Sequence, residues 1–129
     1  MAQRKWKVLL VDDEPSIIKM ITKRLEFEGY EVLVAMNGEE ALEKAKSERP
    51  DLIVLDLMLP KVNGFDVCAE LKQHQRSWEI PVITIFSGDS STDDQARCLK
   101  LGAAAYVTKG QGAAPLMAQV KELLAGVPQ

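Results

Sequence analysis

The sequence predicts an α/β fold in which a five-stranded parallel sheet is covered on both faces by five helices. Short apolar runs alternate with longer stretches whose apolar residues recur every three or four positions. The runs are apolar at every position, which is typical of strands buried on both faces of a sheet. Strands that alternate with helices in this way pair in parallel through right-handed crossovers.

The five apolar runs are the predicted strands. The first reads Val-Leu-Leu-Val and stops abruptly at Asp12 and Asp13, and the third stops at Asp56 in the same way. An abrupt change from apolar to charged residues marks the point where a buried strand leaves the core. In chain order the predicted strands are residues 8–11, 32–35, 52–55, 82–86 and 104–107.

The helices between the strands are marked by residues that favour helix ends. A proline in the first turn, an asparagine followed three residues later by a glutamate, and glycines or prolines after the last apolar position are such signals. The predicted helices run from Pro15 to Gly29, from Asn37 to about Glu48 before Pro50, from Gly64 to about Gln75, from Asp93 to Leu101 before Gly102, and from Pro115 to Leu124.

Length and composition narrow the class of protein. At 129 residues we expect one domain, residues 1–129, with a tail from about residue 125 that is a frayed end or the start of a linker. The net charge of -3 gives no support for a nucleic-acid surface, so we expect no direct nucleic-acid binding. The two cysteines are isolated, which argues against a disulfide framework or a zinc site. Without a signal peptide or an apolar run of ~20 residues, we expect a cytoplasmic protein without membrane contact.

Polar side chains follow four of the five predicted strands. Ligands of an open parallel sheet bind beyond the carboxyl ends of its strands, so these side chains are expected at one edge. Any one of them could be an ordinary solvated loop residue, but the whole set predicts a site. The set consists of Asp12 and Asp13 after the first strand, Asp56 after the third, Ser87 after the fourth and Lys109 after the fifth.

The charges at this edge predict a divalent cation. Carboxylates a few ångströms apart repel each other by roughly 4 kcal/mol per pair at an effective dielectric constant near 20. Lys109 supplies one positive charge, and Mg²⁺, which binds carboxylate and water oxygens, supplies more. The residues therefore favour a site in which Mg²⁺ and Lys109 neutralise an incoming phosphoryl group while Asp56 attacks it.

Other phosphate-binding classes fit less well. A flavin- or dinucleotide-binding sheet needs glycine or hydroxyl residues after the first strand, where this chain has two aspartates, a glutamate and a proline. A phosphohydrolase with an aspartyl nucleophile usually has a second acid two residues later, where this chain has Met58. Two alternatives stay open, namely an aspartyl-intermediate phosphohydrolase and an interaction scaffold with a degenerate switch.

Four segments resemble the receiver domain of two-component response regulators, and the resemblance covers nearly the whole chain. They are residues 8–15 (VLLVDDEP), 52–64 (LIVLDLMLPKVNG), 81–88 (PVITIFSG) and 101–109 (LGAAAYVTK). The second is the most specific, because its aspartate follows an apolar strand and precedes a proline by four residues and a glycine by eight. The resemblance implies a flavodoxin-like, doubly wound fold with the strand order 2-1-3-4-5, which is a property of the family.

The resemblance also implies roles for the residues at the edge of the sheet. Asp56 would accept the phosphoryl group, and Lys109 would pair with the phosphoryl oxygens. Asp13 and Asp56 would coordinate Mg²⁺ directly. Asp12 would act through water, and the backbone carbonyl of Met58 would be a further ligand.

A switch and its partners are implied in the same way. Ser87 would hydrogen-bond to the phosphoryl group, and Tyr106 would swing inward when Ser87 moves. A sensor histidine kinase or phosphotransfer protein would donate the group, and the face of the fourth helix, fifth strand and fifth helix would bind a downstream protein. The protein would be a monomer or a weak phosphorylation-dependent dimer. It would not be an enzyme, apart from catalysing its own phosphorylation and dephosphorylation.

The fourth strand departs from the family pattern by one residue. Counting back from Lys109 places the family's hydroxyl on Ser87, whereas counting forward from Pro81 places it on Phe86. The chain therefore has one extra residue in or beside this strand. We assign the position to Ser87 because Phe86 has no hydroxyl, and Thr84 is the second choice.

A second departure follows Lys109. The family usually has a proline after this lysine, joined by a cis peptide bond, whereas this chain has Gly110. A cis bond to a residue other than proline costs about 2.5–4 kcal/mol. We therefore predict a trans bond between Lys109 and Gly110.

Overall fold

The computed structural model of the chain describes residues 5–57, 64–73, 80–86, 92–108 and 112–127. Within these ranges five strands alternate with five helices. The strands are β1 (Lys7–Val11), β2 (Glu31–Ala35), β3 (Leu52–Asp56), β4 (Val82–Phe86) and β5 (Ala105–Thr108). The helices are α1 (Pro15–Phe27), α2 (Gly38–Glu48), α3 (Gly64–Gln73), α4 (Thr92–Lys100) and α5 (Ala114–Leu124).

The strands form one parallel sheet in the order β2-β1-β3-β4-β5. This confirms the predicted α/β fold and its flavodoxin-like strand order. The chain moves from β1 to β2 on one side and then crosses to β3 on the other. The strand order therefore reverses between β1 and β3, which is where sheets of this kind bind their ligands.

Both faces of the sheet are covered, as the apolar runs predicted. Alternate residues of a strand point to opposite faces, so each central strand contributes to two cores. One core lies under α2, α3 and α4 and contains Leu9, Val11, Ile53 and Leu55. The other lies under α1 and α5 and contains Val8, Leu10, Leu52 and Val54. All eight side chains are fully buried, and each such burial is worth roughly 1.5–3 kcal/mol.

The predicted helix ends are largely confirmed. Gly29 follows α1 with a φ of 92°, which a residue with a side chain adopts only at a cost. Asn37 caps α2, because its side-chain oxygen accepts a hydrogen bond of 2.8 Å from the backbone N–H of Glu40. No helix within the described ranges has the length and apolar character that crossing a membrane requires.

Several boundaries differ from the prediction by one residue. β1 and β2 each begin one residue earlier than predicted, β3 ends one residue later, at Asp56, and α5 begins one residue earlier, at Ala114. β5 begins at Ala105 rather than at residue 104 and continues to Thr108, because Thr108 pairs with Phe86 of β4. α4 begins at Thr92 rather than at residue 93. Apolar character locates a buried strand, but backbone pairing decides where it ends.

The chain beyond α5 is attached to the amino-terminal edge of the sheet. The Trp6 indole Nε1 donates a 3.0 Å hydrogen bond to the carbonyl oxygen of Val127. The Trp6 ring also packs against Tyr30, with ring centroids 6.1 Å apart, and Val127 packs against the core under α1 and α5. The tail is therefore held in place as far as Val127.

Candidate metal centre

Three aspartates meet at the carboxyl edge of the sheet, where the strand order reverses. Val11 of β1 pairs with Leu55 of β3, so the next residue of each strand, Asp12 and Asp56, lies at the same level. Asp13 follows in the turn that leads to α1. One carboxylate oxygen of each aspartate lies within 4.8 Å of those of the other two. The structure thus brings together the three acids that the sequence predicted to meet.

The three carboxylates differ in their access to solvent. Asp12 is 0% exposed and Asp56 is 2% exposed, whereas Asp13 is more open. Two unit charges about 4.8 Å apart repel by roughly 3–4 kcal/mol at an effective dielectric constant of 20. Charges buried in a protein are usually paired or bound to a metal, so this arrangement calls for positive charge at the site.

The loop after β1 fixes the orientation of Asp12. The Asp12 backbone N–H donates a 3.0 Å hydrogen bond to the carbonyl oxygen of Ala35, which extends the pairing of β1 with β2 by one residue. Its carboxylate Oδ1 accepts a 3.0 Å hydrogen bond from the backbone N–H of Glu14. We did not predict this contact, although an aspartate often accepts a hydrogen bond from the backbone N–H two residues later and so marks such a turn.

The donor set fits Mg²⁺. All three groups are carboxylates, the hard oxygen ligands that Mg²⁺ prefers. Two oxygens on opposite sides of a Mg²⁺ ion are about 4.2 Å apart, since Mg–O distances are about 2.1 Å. The separation of up to 4.8 Å among the three oxygens is therefore close to what one ion requires, with water completing its shell. The better access of Asp13 leaves a side from which a cation and its waters can enter.

Tyr106 lies on β5, which is separated from β3 by one strand, β4. It pairs with Thr84 of β4 and packs against the core under α2, α3 and α4. Its neighbours Ala105 and Val107 belong to the opposite core, as the alternation of side chains along a strand requires. The phenol oxygen of Tyr106 is buried. The ring thus faces inward here, and its movement stays a prediction.

Several predicted residues lie outside the described part of the chain. They are Met58, Ser87 and Lys109, and with Lys109 the peptide bond to Gly110. The strands that precede Ser87 and Lys109 end side by side, because Phe86 pairs with Thr108.

The extra residue predicted near the fourth strand does not form a bulge in β4 between Val82 and Phe86. From Val82 to Phe86, β4 pairs residue for residue with β3 on one side and with β5 on the other, and neither register slips. A bulge would place two residues of β4 opposite one residue of a neighbour. Within these residues, the predicted extra residue therefore does not disturb the sheet.

A small cavity borders the carboxyl end of β5, between α1 and α5. It has a volume of about 30 Å³ and is lined mainly by apolar side chains, among them Ile17, Val107 and Leu116. That volume is roughly the share of one water molecule in the liquid.

The fold and the acidic edge together define a class of protein. Residues 8–121 match the family model of the response regulator receiver domain. The chain therefore belongs to the receiver-domain family of two-component response regulators. Receiver domains are signalling domains rather than classical enzymes.

Individual relatives support this assignment. The chain is 44% identical over 118 residues to the alkaline phosphatase synthesis transcriptional regulatory protein PhoP of Bacillus subtilis, covering 92% of this chain and 48% of PhoP. It is 37% identical over 118 residues to the DNA-binding dual master transcriptional regulator RpaA of Synechocystis, again covering 92% and 48%. A CheY-like receiver domain protein of Methanospirillum hungatei has a similar structure, with a TM-score of 0.86, 30% identity and 95% of each chain covered. The chain spans about half the length of these two curated relatives.

The relatives correct one prediction. From the net charge of -3 we expected no direct nucleic-acid binding, yet RpaA is named a DNA-binding regulator and PhoP a transcriptional regulatory protein. That prediction is wrong for the regulators to which this domain is related. The charge of one domain reports on its own surface only, and about half of each relative lies outside the matched region.

Proposed function

We propose that this domain is a phosphoryl-accepting signalling switch. Asp56 takes a phosphoryl group from a histidine kinase, a phosphotransfer protein or a small phosphodonor, and the phosphorylated form binds its partner differently. The observation that carries the proposal is the cluster of Asp12, Asp13 and the buried Asp56 at the strand-order reversal. The names of PhoP and RpaA support a transcriptional output for the switch.

The proposed step is a transfer between two covalent carriers. A carboxylate oxygen of Asp56 attacks the phosphorus, and the bond between phosphorus and the donor nitrogen breaks as the new oxygen–phosphorus bond forms. The electron pair of the broken bond stays on the donor imidazole, which takes up a proton from solvent. The product is an acyl phosphate on Asp56.

The residues around Asp56 manage the charge of this step. The phosphoryl group brings about two negative charges to an edge that already has three carboxylates. Asp12 and Asp13 are the residues that would hold Mg²⁺ together with Asp56, and the ion supplies the positive charge that offsets the repulsion. Lys109, which follows β5 in the sequence, would contribute a further positive charge. The hydrogen bond from Glu14 keeps the Asp12 carboxylate in place as the charges change.

Covalent labelling tests this proposal against both alternatives. With Mg²⁺ and acetyl phosphate, we expect an acid-stable, base-labile adduct of about 80 Da on Asp56, as one phosphoryl group requires. The measurement is intact-mass spectrometry followed by peptide mapping. Absence of any adduct would favour the interaction scaffold. Rapid multiple turnover of unrelated phosphomonoesters would favour the phosphohydrolase.

Asp13→Asn is expected to weaken Mg²⁺ binding at least tenfold while leaving the fold intact. The substitution removes the negative charge of the most open ligand but keeps its size. Mutation of a residue that only orients a metal ligand typically lowers metal affinity tenfold or more. Loss of the ligand itself should lower the affinity at least as much. Isothermal titration calorimetry with MgCl₂ measures the affinity.

The matched control for this experiment is Asp66→Asn. Asp66 is an exposed acid in the first turn of α3, and its substitution changes the net charge of the protein by the same amount. Its Mg²⁺ affinity should stay within about twofold of the original, because long-range charge effects are screened by salt. Equal losses for both variants would show that Asp13 acts only through net charge and is not a ligand.

A further inference from the structure

The interface between α3 and α4 is closed at both ends by specific contacts. At the end near the acidic edge, the Arg97 guanidinium carbon lies 4.1 Å from the centre of the Phe65 ring. At the other end, the aliphatic part of Lys72 lies against Gly102, so closely that a Cβ atom added to Gly102 would be 2.9 Å from Lys72 Cγ. Residues Phe65 to Lys72 of α3 therefore lie along the stretch from Arg97 of α4 to Gly102 in the turn after it.

The two cysteines of the chain lie between these contacts. Cys68 follows Phe65 by one helical turn on α3, and Cys98 is the neighbour of Arg97 on α4. Both are 0% exposed, and both belong to the core under α2, α3 and α4. Although they are 30 positions apart in the sequence, the fold places both in the same core.

The pKa of the Cys68 thiol is raised by its surroundings. Burial and the neighbouring Cys98 together raise the pKa of the Cys68 thiol to about 11, and the nearby Lys72 ammonium offsets part of this. The contacts of Phe65 with Arg97 and of Lys72 with Gly102 place the two cysteines along the same stretch of packing. Residues that face each other across a helix–helix contact can reach the Cα separation of about 4.4–6.8 Å that a disulfide spans.

We propose that Cys68 and Cys98 form a reversible disulfide that fastens α4 to α3 when a hydroperoxide oxidises the chain. One thiol loses its proton, and its sulfur attacks a peroxide oxygen, which gives a sulfenic acid and, with hydrogen peroxide, one water. The second thiol then attacks the sulfenic sulfur and releases another water. Two thiols and one hydrogen peroxide thus give one disulfide and two waters.

The packing of the interface makes this reaction dependent on α4 movement. A buried thiol with a raised pKa is almost entirely protonated near neutral pH, and the thiolate is the reactive form. Oxidation therefore requires α4 to separate from α3 for long enough to admit peroxide. Phe65 and Arg97 cover the side nearest the acidic edge, so weakening their contact should speed the reaction.

The disulfide would hold α4 in a fixed position against the sheet. Its formation needs neither Mg²⁺ nor a phosphodonor, so it stands whether or not Asp56 accepts a phosphoryl group. Only the effect of a fixed α4 on signalling rests on the proposed function. A test of the disulfide without phosphodonor therefore separates a failure of this inference from a failure of the proposed function.

The test is oxidation of the full chain by hydrogen peroxide at low protein concentration. After denaturation and alkylation, we expect an intact mass about 2 Da lower, as loss of two hydrogen atoms requires, and no alkylated thiol. Trypsin should release residues 62–72 (VNGFDVCAELK) joined to residues 98–100 (CLK). Dithiothreitol should restore two alkylatable thiols. Alkylation of both thiols after oxidation, or oxygen added to single thiols without a joined peptide, would overturn the proposal.

Three variants serve as controls. Cys68→Ser and Cys98→Ala should each abolish the joined peptide, and persistence of the 2 Da loss in either variant would overturn the pairing. Phe65→Leu keeps an apolar side chain but removes the aromatic ring that Arg97 contacts. Loss of this contact should speed disulfide formation about two- to fivefold. An unchanged rate of disulfide formation in Phe65→Leu would show that this contact does not shield the thiols. Whether the disulfide forms at all is tested by the original chain.

Discussion

Replacing Asp56 by asparagine is expected to lower phosphoryl acceptance by roughly 10³-fold or more, because an uncharged amide is a far weaker nucleophile than a carboxylate. The two side chains have nearly the same size, so the packing around this buried position is preserved. The measurement is the amount of adduct formed with Mg²⁺ and acetyl phosphate, followed by intact-mass spectrometry over time.

The same substitution should not destabilise the protein in the absence of Mg²⁺. Asp56 is 2% exposed and shares its site with Asp12 and Asp13, so Asp56→Asn removes two repulsive interactions from a poorly solvated edge. We therefore expect the free energy of unfolding, measured with urea, to stay the same or to rise. Stability and acceptance should move independently, which excludes unfolding as the cause of the lost adduct.

A matched control and a contradicting outcome complete this prediction. Asp66→Asn makes the same chemical change at an exposed site on α3 and should form the adduct at the original rate. If Asp56→Asn still forms a base-labile adduct that maps to Asp12 or Asp13, the acceptor has been assigned to the wrong carboxylate. Such a result would leave the metal centre in place but move the chemistry within it.

The fold could be predicted because the buried strands are apolar at every position. Residues 8–11 and 52–55 have no polar alternation, so the sequence itself indicates coverage on both faces. The cluster of aspartates was predictable for a related reason. Aspartates at the carboxyl ends of parallel strands share one edge. Asp12 and Asp56 come to the same level because the residues before them, Val11 and Leu55, pair with each other.

Features that depend on packing between helices could not be read from the sequence. Cys68 and Cys98 lie in the same core because of how α3 and α4 pack on the sheet, and no local pattern links positions 30 residues apart. The hydrogen bond from Glu14 to Asp12 depends on the exact course of the turn before α1. The nucleic-acid prediction failed for a different reason, because the charge of this domain carries no information about other parts of the regulators related to it.

Gly102→Ala is expected to lower the free energy of unfolding by about 2–5 kcal/mol, through two separate effects. Gly102 has a φ of 106°, and a left-handed conformation costs a residue with a side chain roughly 1–2 kcal/mol. The added Cβ would also be 2.9 Å from Lys72 Cγ, and overpacking of this kind costs typically 1–3 kcal/mol. Urea unfolding measures the change.

Lys72 cannot easily move away from this new methyl group, because both ends of its side chain are held. Its Nζ donates a 3.1 Å hydrogen bond to the carbonyl oxygen of Ile80. Burial lowers its pKa, with partial compensation from Cys68, as expected for an ammonium group that is partly removed from water. Truncation of the Lys72 side chain should therefore relieve the clash, whereas the intact side chain cannot easily move out of the way.

Gly29→Ala separates the two effects. Gly29 has a φ of 92°, but nothing lies within 4 Å of a Cβ added there, so this variant should lose only the roughly 1–2 kcal/mol of the backbone conformation. The excess loss in Gly102→Ala then measures the contact with Lys72. In a Lys72→Ala background, Gly102→Ala should lose about 1 kcal/mol less than it does in the original chain, which is the coupling expected of residues in contact. Equal losses for the two glycine variants would show that Lys72 yields to the methyl group, and that the turn after α4 is not packed against α3 as tightly as its geometry indicates.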